Sequence, residues 1–96
     1  MINVENTGNQ IQIKGLMMNG ESKSATLYKR MVDSNGQTYY MYSMPELGIR
    51  LSEVIASSPE NAVSQVLYKV RERMNSIVKD AEENIKLLDQ KIIMFE

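Results

Sequence analysis

The run Ile49-Arg50-Leu51-Ser52-Glu53-Val54-Ile55-Ala56-Ser57-Ser58-Pro59-Glu60-Asn61-Ala62-Val63 contains the change of period on which the fold turns. Up to Ile55, apolar and polar residues alternate, the period of a half-buried strand. Ser57-Ser58-Pro59-Glu60 then reads as a helix start: a serine caps an orphan amide, Pro59 sits in the first turn, and Glu60 completes a capping box with Ser57. Beyond it Val63, Val66, Leu67, Val70, Met74, Ile77, Val78, Ala81, Ile85, Leu88, Ile92 and Phe95 recur at steps of three, one and four, a helical stripe. No Gly or Pro follows Pro59, so the spacing predicts a helix over 58–95, with Asn75-Ser76, weak helix formers in its middle, as the place where it would bend.

Working back from Ile49, Pro45 closes a run Gln37 to Met44, because proline cannot donate to a ladder. Two Asn-Gly pairs, Asn19-Gly20 and Asn35-Gly36, separate that run from Ser24–Val32 and Gln10–Met18, and Asn-Gly is a strong two-residue hairpin signal. Taking Asn35 and Gly36 as the two loop residues sets Met31 opposite Tyr40, Lys29 opposite Tyr42 and Leu27 opposite Met44. Leu27, Met31, Tyr40, Tyr42 and Met44 then share one face, and Tyr28, Arg30, Val32, Tyr39 and Met41 the other. Both faces are amphipathic, so the choice of core face stays open. Residues 1–9 carry no apolar period and read as a flexible lead-in. The expectation is α+β: a single domain over 10–96, with a three- to four-stranded antiparallel meander over 10–55 followed by one long amphipathic helix.

The chain has 96 residues, 11 Lys+Arg against 12 Asp+Glu, and no Cys, His or Trp. Without Cys or His there is no disulfide framework, no thiolate zinc site, and neither the commonest metal ligand nor the commonest general base. A net charge of −1 provides no positive field to recruit nucleic acid or an anionic membrane. Ser76-Ile77-Val78-Lys79 matches a Ser-x-x-Lys string, but none of the companion motifs of the serine hydrolases that use it is present. Asp33-Ser34-Asn35-Gly36 begins like a calcium loop and lacks the rest of its ligands. No catalytic residue, metal ligand or cofactor is therefore expected. Met1-Ile2-Asn3-Val4-Glu5 is not a secretory leader, and no window is apolar enough to span a bilayer, so the expected location is the cytoplasm.

Two surfaces stand out as places for a partner. Tyr39, Tyr40 and Tyr42, with Tyr28, Lys29 and Arg30 on the neighbouring strand, combine aromatic and basic groups. Such a face packs under a helix, grips a protein, or stacks the bases of a single strand while holding its phosphates. The second is the distal helix. Thirty-seven residues at about 1.5 Å each make roughly 55 Å, longer than a small sheet covers. Met74, Ile77, Ala81, Ile85, Leu88, Ile92 and Phe95 are the candidate dimerisation residues. Lys69, Arg71, Arg73 and Lys79 precede Asp80, Glu82, Glu83 and Asp89, an order that favours an antiparallel homodimer.

From Tyr39 to Ile92 the layout of strand, Ile49-Arg50-Leu51 strand, short link and Asn61-Ala62-Val63-Ser64-Gln65-Val66 opening a charged helix resembles the C-terminal tail of Swi/Snf-type helicase and methylase polypeptides of phages and conjugative elements. Glu60-Asn61-Ala62 stands where that family has Gly-Asn-Ile, and the arginine that follows in the family is Gln65 here or absent. The resemblance implies a mobile-element context and an accessory interaction role, without helicase activity. The expected function is a small non-catalytic protein-interaction module that dimerises through its helix and binds or inhibits a larger, nucleic-acid-processing protein. The alternative is a single-strand nucleic-acid binder using the Tyr/Lys/Arg face.

Overall fold

The computed structural model describes residues 1–96. Five strands, β1 (Asn3–Asn6), β2 (Gln10–Met18), β3 (Glu21–Val32), β4 (Thr38–Met44) and β5 (Ile49–Ala56), precede one helix, α1 (Pro59–Phe95). All neighbours are antiparallel and the spatial order follows the chain, β1-β2-β3-β4-β5. The fold is thus α+β, and its sheet is a meander of five strands, one or two more than the periodicity predicts.

The additional strand is β1, inside the segment expected as a lead-in. Its four residues are all exposed, so it has no apolar period to read. Its contribution is a backbone ladder along the open edge of β2, from Asn3 opposite Lys14 to Asn6 opposite Ile11, with Lys14 paired to Glu5 at 3.0 Å. At Gly15, where β2 breaks register with β3, φ is +88° and a Cβ would run into the carbonyl oxygen of Met1.

The two Asn-Gly turns behave differently. Asn19 and Gly20 both have positive φ and close a two-residue loop between Met18 and Glu21, as a type I′ turn requires. The second loop is longer, because Asp33 takes the turn over. Its Oδ1 accepts from the backbone amides of Asn35 and Gln37, both at 2.9 Å, while the Gly36 amide donates to the Asp33 carbonyl. Gly36 takes the left-handed position after the turn, and Asp33 pairs with Gln37. The expected pairings are corrected accordingly: Met31 lies opposite Tyr39, Lys29 opposite Tyr40 and Leu27 opposite Tyr42, with an irregularity between Lys29 and Met31. That irregularity turns Met31 out of the core face while Leu27, Tyr40, Tyr42 and Met44 stay on it.

A single 3₁₀ turn, Pro45–Leu47, reverses the chain into β5, with Gly48 in the left-handed region. The helix cap is Ser58, whose Oγ accepts from the Asn61 amide at 3.1 Å, and not Ser57 with Glu60. From this cap α1 runs continuously to Phe95 with no break at Asn75-Ser76. It descends along β5: Gln65 Nε2 donates to the Ile55 carbonyl near the top, and Arg73 Nε donates to the Leu47 carbonyl at 2.7 Å near the bottom. The fourteen core residues are all hydrophobic and lie between Ile11 and Val70, with Ala62, Val66 and Val70 as the contribution of the helix. Past Met74 every helical residue is exposed. The molecule measures 64 × 25 × 16 Å because the helix continues beyond the sheet. The helix is neither long enough in apolar residues nor free enough of charge to cross a membrane.

Candidate interaction surfaces

The helix covers one face of the sheet, and this divides the tyrosines. Tyr40 and Tyr42 are 4% and 2% exposed, in the seam beneath α1. Burial pushes the Tyr42 phenol above its ordinary pKa, partly offset by a hydrogen bond with the side chain of Ser52, its cross-strand partner. Neither residue is available to a partner, so two members of the predicted binding face belong to the core.

Of the other members, Tyr28, Lys29 and Arg30 line one shallow depression, and Tyr39 does not. Cross-strand neighbours in a sheet point to the same side. Tyr28 stands beside Met41 and Gln10 on the outer face, 49% exposed. Tyr39, half-buried, lies between Met31 and Ile55 on that same face. Lys29 is opposite buried Tyr40 but exposed, and Arg30 occupies the irregularity between Lys29 and Met31. The outer face is more apolar than the sequence pattern indicates: Met31, Leu51 and Ile55 are exposed there, and Met31, Met41 and Leu51 line the depression together with Tyr28, Lys29 and Arg30. Sequence alternation alone could not assign Met31, since its side follows from the irregularity at Arg30.

The second surface is the distal helix. Met74 is half-buried at the lower limit of the core, whereas Ile77, Ala81, Ile85, Leu88, Ile92 and Phe95 are exposed, Leu88 at 60% and Phe95 at 84%. With about 100° between successive residues, Val66 and Val70 and all seven of these candidates fall within a sector of about 100°. The stripe that packs on the sheet and the stripe that packs on nothing are one stripe. Val78 also borders it, at the helical spacing of a seam position, and the candidate set omits it. On the opposite flank the Arg71 guanidinium sits 4.8 Å from the ring centre of Tyr68, a cation–π pair with no counterpart in the sequence motifs.

Ser76 and Lys79 are both exposed on this distal half. No group of three or more acidic side chains is arranged to hold a metal ion. The chain is thus an α+β meander-and-helix protein with an extended apolar helix face. No protein-family model, no curated protein and no solved structure matches it.

Proposed function

We propose that this chain is a cytoplasmic, non-catalytic protein-interaction module that self-associates through the distal half of α1 and presents the outer face of its sheet to a larger protein. The observation that carries this reading is the uncovered stripe from Ile77 to Phe95, over which no element of the chain lies. Exposed apolar surface of this extent marks an interaction site in a folded protein, since water contact with it is the dominant unfavourable term. The outer sheet face, with Tyr28, Arg30, Met31 and Met41, offers the residue types enriched at interface centres. Burial of Tyr40 and Tyr42 takes two stacking platforms from the single-strand nucleic-acid alternative, and the protein partner is favoured for that reason.

Light scattering coupled to size exclusion over a concentration series tests the self-association. The expected mass is twice the 11.0 kDa of one chain. A mass of one chain at every concentration would overturn it.

A further inference from the structure

We propose that the uncovered half of α1 is occupied by the same segment of a second copy running antiparallel, so that the Ile92–Phe95 end of each helix seats against the lower rim of its partner's sheet. The inference rests on the self-association reading above and adds the orientation, the register and the contact at each end.

Spacing identifies a second helix as the natural occupant. Met74, Val78, Ala81, Ile85, Leu88, Ile92 and Phe95 are separated alternately by four and three residues, the repeat with which one helix buries a seam against another. A self-complementary contact about a two-fold axis then covers both copies' stripes at once.

The position of the sheet chooses the direction. Because the sheet-facing stripe and the distal stripe are on the same side of α1, the sheet fills the space that a parallel partner helix would enter above Met74. A parallel pair would place two sheets between helices whose axes must stay about 8–10 Å apart, and two stacked sheets alone take about 10 Å. The β-branched Val78, Ile85 and Ile92 at alternate seam positions are the choice that favours two strands in parallel coiled coils. Overlap of whole sheets outweighs that preference, since packed interiors do not interpenetrate. In the antiparallel pair each sheet lies beyond the end of the other helix, and nothing collides.

The two ends also match. The lower rim of the core is apolar: Met18, where β2 ends, and Met74 are partly buried against it, and Leu47 is buried in the 3₁₀ turn. The approaching helix end, Ile92-Ile93-Met94-Phe95, is the most exposed apolar segment of α1. Setting Phe95 of one copy level with Met74 of the other gives an overlap of about 32 Å at 1.5 Å per residue.

Charge does not decide the direction at this register. The order of basic before acidic residues would centre the pair near Lys79, but the sheet stops the partner at Met74, and Arg73 is engaged by Leu47. Within the overlap Lys79, Lys86 and Lys91 nearly balance Asp80, Glu82, Glu83 and Asp89.

The chain has no cysteine, so a spin label placed at exposed Lys69 through Lys69→Cys is unique in each copy. Pulsed dipolar spectroscopy on the dimer should give a label separation of about 45 Å, the axial offset of the two positions at this register. A separation of about 30 Å or less, as for helices at equal height with at most the two sheets between them, would overturn the antiparallel orientation while leaving self-association intact. A mass of one chain by light scattering would instead overturn the self-association on which it rests. Ile85→Glu, at an exposed mid-seam position, should give a monomer with unchanged circular dichroism. A dimer persisting in that variant would place the contact elsewhere and overturn the proposal.

Discussion

Tyr42 carries a phenol into the seam between sheet and helix, where its neighbours are the core and the side chain of Ser52. Desolvation favours the neutral phenol, so the folded protein holds that proton more tightly than the unfolded chain does. A folded-state pKa above the unfolded one means that the contribution of Tyr42 to stability is complete below the unfolded value and is lost as pH rises through the folded value. Thermal midpoints measured from about pH 8 to about pH 11 should therefore fall more steeply for the native chain than for Tyr42→Phe, since unperturbed tyrosines titrate near 10. Equal slopes would show that another group governs the alkaline limit. The same residue shows what the sequence left open: Tyr39, Tyr40 and Tyr42 are consecutive or alternate tyrosines on a strand with two amphipathic faces. Only the position of the helix tells the buried pair from the half-exposed one.

At the scale of elements, the joints between sheet and helix account for both the agreement and the differences. The helix and its start were legible because a 3.6 period over thirty-seven residues has no competing interpretation, while the cap itself was off by one residue. Ser58 accepts from Asn61, so Ser58→Ala should cost about 1 kcal/mol in urea denaturation. Ser57→Ala, outside the cap, should stay within about 0.5 kcal/mol of the native chain. A larger loss at Ser57 would restore the capping box with Glu60. Arg73 ties the helix to the turn between β4 and β5 by donating to the Leu47 carbonyl, a partly buried contact of a kind worth about 1.5–3 kcal/mol when one partner is charged. Arg73→Ala should lose an amount in that range, and an unchanged midpoint would mean that water replaces the guanidinium. The strands were legible where the turn chemistry was simple, as at Asn19-Gly20. They were misregistered where a side chain competed for the backbone, as Asp33 does at Asn35-Gly36. Edge strand β1 escaped because pairing through backbone alone leaves no mark on side-chain pattern.

The whole molecule has two parts with different dependencies. Its radius of gyration of 17.6 Å exceeds the roughly 12–13 Å of a compact chain this long, and the excess is the helix beyond Met74. Every buried side chain lies at or before Val70, so the fold and the association surface overlap only at the rim. Deleting residues 77–96 should leave a monomer whose strand signature in circular dichroism is unchanged and whose radius of gyration by X-ray scattering falls to about 11–12 Å. Binding that involves only the folded state stabilises it by mass action, so the melting midpoint of the full chain should rise with protein concentration while that of the truncated chain should not. At the lowest concentrations the two midpoints should converge to within a few degrees, about the shift produced by 1 kcal/mol in a domain of this size. Loss of the sheet on truncation would mean that the meander is stable only when the distal helices are paired, and that folding and assembly are a single equilibrium.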